Sequence, residues 1–149
     1  MRIEIVTPGG DLSDAFKVRM SVFIDEQGFT AEIEIDETDP VAHHVIFYEG
    51  DKPIATARTF PDKNKPGYYI IGRVAVLKDH RGGKMGLRLM QAIEKLARSL
   101  GAKGFTLGAQ LRVSPFYAKC GYTATDKHYY EEYCEHVYMH KSSDMEIVL

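Results

Sequence analysis

Arg73-Val74-Ala75-Val76 leads through a short polar turn into Arg81-Gly82-Gly83-Lys84-Met85-Gly86, and a long segment with helical apolar spacing comes next. A strand that enters a glycine-rich basic turn opening a helix is suited to gripping a pyrophosphate. Backbone N–H groups point at the anion, the helix N-terminus adds partial positive charge, and glycine permits close approach. Arg81 and Lys84 add full charges beside those dipoles. Arg58 and Arg73 fall inside predicted strands, where charge is expensive, so each is expected to find a carboxylate such as Asp36 or Glu26. Cys134, His136 and His140, with His128 nearby, fit no zinc spacing, and no metal is expected. Tyr129, Tyr130, Tyr133 and Tyr138 cluster around a predicted hairpin, which leaves core or homodimer packing and an acceptor-pocket lining both open.

These residues need elements to hold them. Residues 2–6 read as a strand ended by Thr7-Pro8-Gly9-Gly10. Asp11 or Ser13 can cap a helix whose apolar positions Phe16, Met20, Phe23 and Ile24 recur at three and four, and Gly28 stops it. Residues 45–48 and 53–60 form a predicted hairpin across Glu49-Gly50-Asp51-Lys52, with 68–76 as a further strand. The helix after Gly86 places Leu89, Ile93, Leu96 and Leu100 on one face and Arg88, Lys95 and Arg98 on another, with Gly101 beyond its end. After it come a strand over 103–108, a short helix over 113–119 opening near Ser114-Pro115, and a hairpin of 122–130 with 137–141. The order β, α, ββ, β, α, β, α, ββ predicts one α/β (α+β) domain over residues 1–149, a mixed sheet of about six to seven strands flanked by helices. The strand over 103–108 succeeds a helical crossover and is expected to lie parallel to the one before the glycine turn.

The 149 residues are 44% hydrophobic and 27% charged, which places the chain among globular proteins. No apolar run approaches membrane-spanning length, and the alternating N-terminus with Glu4 does not read as a secretory signal. Two cysteines without a disulfide framework point to the cytoplasm. A net charge of −2 conceals an asymmetry: residues 1–51 hold 3 Lys/Arg against 12 Asp/Glu, and the remainder 16 against 9. That reads either as a solvated surface or as a basic half for a polyanionic ligand beside an acidic half that attracts a cation. Nucleic acid is a weak alternative, since the basic residues gather at a phosphate-sized turn and no nucleic-acid motif is present.

The residues resemble the GNAT superfamily of N-acetyltransferases, whose cofactor loop reads Gln/Arg-x-x-Gly-x-Gly/Ala. That pattern falls on Arg81 to Gly86, with Lys84 where the first of its glycines is usual. A second signature, Phe-Tyr-x-x-x-Gly-Tyr/Phe, is intact as Phe116-Tyr117-Ala118-Lys119-Cys120-Gly121-Tyr122. A narrower likeness is to the ElaA-like and YjcF-like bacterial members. It rests on Val18-Arg19, Val22-Phe23 with Glu26-Gln27-Gly28, Ile35-Asp36-Glu37, His44, Gly72-Arg73-Val74, Gly108-Ala109-Gln110, and His136 with Met139.

The resemblance implies a cleft between two splayed parallel strands in which the pantetheine arm of acetyl-CoA bonds to backbone as a strand would. By residue, Val74, Ala75 and Val76 offer main-chain groups, a backbone N–H near Val76 stabilises the oxyanion, and Arg81, Gly82, Gly83, Lys84, Met85 and Gly86 hold the pyrophosphate. Gln110 stands where many members carry an Asn toward pantetheine, and Tyr117 sits near the sulfur. An ordinary phenol near pKa ~10 lies only about 1.5 units above a thiol near ~8.5, so Tyr117 suits proton donation to the leaving thiolate. Histone-modifying relatives carry a Glu base where Ile70 stands here, which leaves Glu34, Asp36, Glu37 and His44 as base candidates; His44 has a suitable ordinary pKa. The implied activity is direct transfer of acetyl from acetyl-CoA to an amine. A non-catalytic acyl-CoA-binding or protein-interaction module on the same fold is the alternative.

Overall fold

The computed structural model describes residues 1–31 and 35–149. β1 (Arg2–Val6) leads to α1 (Ser13–Arg19), which continues through wider π turns over Met20–Glu26. A hairpin of β2 (His43–Glu49) and β3 (Lys52–Pro61) precedes β4 (Tyr68–Val76). Then come α2 (Met85–Ser99), β5 (Gly104–Gln110), α3 (Ser114–Lys119), and the hairpin of β6 (Thr123–Glu131) and β7 (Cys134–Ser142). Among the described residues the strands form one seven-stranded sheet in the order β1-β2-β3-β4-β5-β7-β6. Every neighbouring pair is antiparallel except β4 with β5, the crossover pair expected to run parallel.

The spacing read in α2 determines its packing: Leu89 and Ile93 are fully buried, and with Met90 and Ala97 they cover Phe105, Leu107, Val137 and Met139 on one sheet face. Gly101 takes φ 95 just past the helix, the left-handed conformation that ends it. Within α2, Glu94 is also fully buried. It accepts from Lys141 Nζ (2.8 Å) and Tyr122 Oη (2.7 Å), while Lys141 also donates to the Cys120 carbonyl at 2.7 Å. This knot ties α2 to β7 and to the end of α3.

α1 packs on the other face, with a buried side that differs from the expected one. Ala15, Val18, Arg19 and Val22 are buried, whereas Met20 is exposed and Phe16, Phe23 and Ile24 are partly covered. Small side chains let the helix lie close to the sheet, and the larger apolar residues fall one position to the side of the buried stripe. The Asp11 carboxylate accepts from the Ser13 N–H at 2.9 Å, while Leu12 occupies the N-cap.

β4 departs from a regular strand where it matters. Thr56 pairs with Ala75 and Arg58 with Gly72, so Arg73 and Val74 together oppose the single residue Ala57. Arg73 adopts φ 50. The extra residue reverses the facing of the rest of the strand: Ile71 packs on the α2 side, but Ala75 packs with Val18 and Val22 on the α1 side.

Candidate active site

β4 and β5 pair only at Tyr68–Gly104, Tyr69–Phe105 and Ile70–Thr106, and then diverge. The divergence opens a cleft of about 500 Å³ that exposes β4 from Ile70 to Val76 on one wall and Leu107, Gly108 and Gln110 on the other. A strand edge released from its partner presents free N–H and C=O groups, which suit an extended polar chain laid beside them. At the same end, Arg81, Gly82, Gly83 and Lys84 are all exposed. Gly82 (φ 95), Gly83 (φ 58) and Lys84 (φ 63) are consecutive left-handed residues. Lys84 therefore occupies a backbone conformation that favours glycine. The Met85 N–H donates to the Gly82 carbonyl, and the first full α2 bond runs from Arg88 N–H to Lys84 C=O. The intervening first-turn amides have no acceptor within the helix. The two sequence signatures meet here, since a Cβ at Gly86 would lie 3.0 Å from the Phe116 ring.

Of the residues singled out from sequence, Val74, Ala75, Val76, Arg81, Gly82, Gly86, Gln110 and Tyr117 line this one cleft. Gly83 and Lys84 are exposed and do not line it, and Met85 packs against the core. Arg81 is already engaged: its Nη atoms meet both Glu26 carboxylate oxygens at 2.7 Å and its Nε donates to the Val76 carbonyl at 3.0 Å. The Arg81 hydrogen bonds hold the Glu26 carboxyl below its usual range. The Gln110 amide donates to Gln27 Oε1 at 2.8 Å, so it braces the segment after α1. Tyr117 packs edge-on against Phe116 and Tyr122, and burial pushes its hydroxyl well above the ordinary phenol range. The gap to a thiol is thus wider than the ordinary value implies, and the hydroxyl stays protonated.

The base candidates fall elsewhere. His44 is 1% exposed and outside the cleft; its Nε2–H donates to the Asp39 carbonyl at 3.0 Å, and burial lowers its pKa. The structure thus encloses His44 in the core, away from the residues that line the cleft. Asp36 likewise does not line the cleft. Its oxygens accept from Arg58 at 2.6 and 3.0 Å and from Arg73 at 3.3 Å. Burial alone would raise its carboxyl, but Arg58 and Arg73 outweigh that and hold it below the usual range. Glu37 is exposed and does not line the cleft, and Glu34 lies outside the described residues. The carboxylate partner expected for Arg58 and Arg73 is Asp36, and Arg58 also meets Asp39 at 2.8 Å. Asp39, 2% exposed, is gripped by Arg19 at 2.7 and 3.0 Å. Burial would raise the Asp39 carboxyl as well, yet Arg19 brings it down to about 2.

The opposite rim adds Glu131 and His136, which sequence reasoning does not assign to the site, to Tyr129, one of the tyrosines for which a pocket lining stood open. Tyr129 and Glu131 of β6 and His136 of β7 all line the cleft. Their signal is parity: His136 pairs across β7 with Gln110 on one side and Tyr129 on the other, so the three share a face. A Cβ at Gly108 would fall 2.0 Å from the Tyr129 hydroxyl, so only glycine admits that ring. The hairpin tip folds back toward α1: Tyr133 donates to the Gln27 carbonyl and stacks on Phe29 at 5.5 Å. No group of residues with metal-ligating geometry occurs among the described residues.

The same fold recurs in known proteins. The uncharacterized N-acetyltransferase YjcF of Bacillus subtilis (strain 168) is 39% identical over 142 residues, covering 95% of this chain and 99% of that protein. The crystal structure of Escherichia coli ElaA superposes with a TM-score of 0.83 at 25% identity, covering 95% and 99% of the two chains. An acyl-CoA N-acyltransferase from Pseudomonas aeruginosa shares the fold with a TM-score of 0.84 at 24% identity over the same shares. The family chemistry is acyl transfer from acyl-CoA, and no described helix is long and apolar enough to cross a membrane. The model of the acetyltransferase (GNAT) domain matches residues 12–143, and the chain belongs to that family.

Proposed function

We propose that this protein transfers an acetyl group from acetyl-CoA to an amine by direct attack, with both substrates in the cleft at once. The observation that carries this reading is the loss of β4–β5 pairing beyond Ile70 at the end where the glycine turn is exposed. When bound, acetyl-CoA supplies the activated acyl group; the chain supplies position, charge and proton management. Main-chain groups of Val74, Ala75 and Val76 align the pantetheine arm, and an N–H near Val76 takes up charge on the acyl oxygen. The turn from Arg81 to Gly86 holds the diphosphate, with Lys84 contributing its charge. Tyr117, held protonated by burial, gives its proton to the departing sulfur. Neither Cys120, which is buried with its thiol pushed up to about 12, nor Cys134 is placed as a covalent carrier.

A binding module without turnover is the second reading, favoured by the burial of His44 and the commitment of Asp36 to arginines. Calorimetric titration with acetyl-CoA, paired with thiol release over a panel of amines, separates the two. Binding with turnover supports transfer, and binding alone supports the module. Replacing Arg81 and Lys84 by Ala is expected to weaken coenzyme binding by roughly 1–3 kcal/mol. Unchanged affinity would refute the diphosphate assignment.

A further inference from the structure

We propose that His136, backed by Glu131, is the general base that takes the proton from the acceptor amine. The inference rests on the acetyl-transfer reading and assigns the base which that reading lacks.

Three observations carry it. First, His136 Nδ1 lies 3.0 Å from the Cys134 carbonyl oxygen. A carbonyl can only accept, so Nδ1 carries the hydrogen, and in the neutral ring the lone pair is then on Nε2. That is the tautomer a base needs. Second, Nε2 lies 3.6 Å from Glu131 Oε2, and the Glu131 side chain is 36% exposed on the cleft wall. An imidazolium formed at His136 thereby gains a charge partner that also opens onto water. Third, the ring is held rigidly: Tyr129 stacks on it at 5.0 Å with planes 24° apart, and the Tyr129 ring sits where Gly108 leaves room for it. His136 thus lines the cleft with one nitrogen anchored to backbone and the other facing Glu131. The Nδ1 of His44 has no hydrogen-bond partner, but that atom is sealed inside the protein.

The charged and titratable groups around the ring are Glu131 and Tyr129 from β6 and Cys134 on its own strand. Arg112 after β5, with Arg73 and Glu26, also borders the cleft. The acceptor this arrangement takes is a primary amine that arrives as ammonium. Glu131 receives it, and its first proton leaves to solvent. The nitrogen lone pair then forms the C–N bond, and the C–S bonding pair leaves on sulfur. The remaining excess N–H proton passes to His136 Nε2 and out through Glu131, while Tyr117 protonates the sulfur. One proton leaves nitrogen for solvent and one reaches sulfur from Tyr117, whose phenolate regains a proton from solvent, so the exchange balances.

The test joins nitrogen-15 NMR of the wild type with kinetics of His136→Asn and Glu131→Gln, using the amine that releases most thiol. The expected results are a neutral His136 ring protonated at Nδ1 and a fall in kcat of about 10²–10⁴-fold for His136→Asn. Acetyl-CoA affinity is expected to be unchanged in that variant, with loss of the acidic limb of kcat/KM. For Glu131→Gln the KM for the amine is expected to rise while acetyl-CoA affinity holds. A ring protonated at Nε2 overturns the proposal, as does His136→Asn with the wild-type pH profile or with lost coenzyme binding. No thiol release by the wild type with any amine overturns the transfer reading itself, an outcome distinct from a normal profile in the variant.

Discussion

The two faces of the sheet solve the same problem with opposite materials. Under α2 the sheet is covered by Leu89, Ile93, Phe105 and their neighbours, and its charges are confined to the knot of Glu94, Lys141 and Tyr122 with Arg98 at its edge. Under α1 the buried apolar clusters are smaller, and a chain of charges from Arg19 through Asp39, Arg58 and Asp36 to Arg73 runs from the helix to the bulge of β4. Apolar burial is non-directional and stabilises whatever lies close. Bidentate arginine–carboxylate pairs fix orientation as well as proximity. The α2 face therefore supplies most of the fold's stability, whereas the α1 face sets the geometry of the strand that opens the cleft.

The sharpest way to test that contrast is to break each ionic cluster. Lys141→Met leaves Glu94 buried without its closest cation and the Cys120 carbonyl without its donor, and is expected to cost about 3–5 kcal/mol in urea unfolding. Adding Glu94→Leu to it should recover much of the loss, because two apolar groups then replace two charges. Failure to recover would mean that the knot specifies packing that an apolar substitute cannot reproduce.

A smaller effect is expected on the α1 face as the pH falls. The Asp39 carboxyl sits at about 2 in the folded chain against an ordinary 3.8, so its contribution to stability is complete above the ordinary value. Stability should be lost as pH drops from about 4 toward 2, by an amount on the order of 2 kcal/mol. Denaturant titrations across that range, compared with Asp39→Asn, check the sign: the variant should be less stable at neutral pH and flatter in acid. An identical slope would remove Asp39 as the source.

The smallest change lies at the seam between the two faces. Lys84 holds φ 63 without being glycine, a conformation that disfavours side chains by roughly 1 kcal/mol. Lys84→Gly is expected to raise the melting temperature slightly while weakening coenzyme binding through loss of charge. Tighter binding would show that strain at this turn, and not charge, limits the interaction.

Where periodicity is strong, sequence and structure agree closely. The strand expected over 68–76 and the apolar stripe of the α2 helix match β4 and α2. The stripe expected for α1 differs from the buried one, which keeps the same three-and-four spacing one position earlier at Ala15, Val18, Arg19 and Val22, where small side chains and an ion-paired arginine carry little apolar signal. The glycine turn and Tyr117 are legible as motifs, since their chemistry lies in contiguous residues. Glu94 and Lys141 leave a fainter trace: Lys141 shares its parity with the core residues Val137 and Met139, yet nothing local names the charge that meets it.

By itself, the sequence determined the order of elements, the parallel crossover and the turn that faces the cleft, because helix and strand periods and glycine conformations are properties of neighbouring residues. Only the tertiary structure decided which charged groups reach the cleft. Burial of His44, capture of Asp36 by Arg58 and the meeting of Glu131 with His136 depend on strand register and on a bulge at a non-glycine residue. A shift of one residue turns a side chain from one face of a sheet to the other, and no local pattern in the chain records that choice.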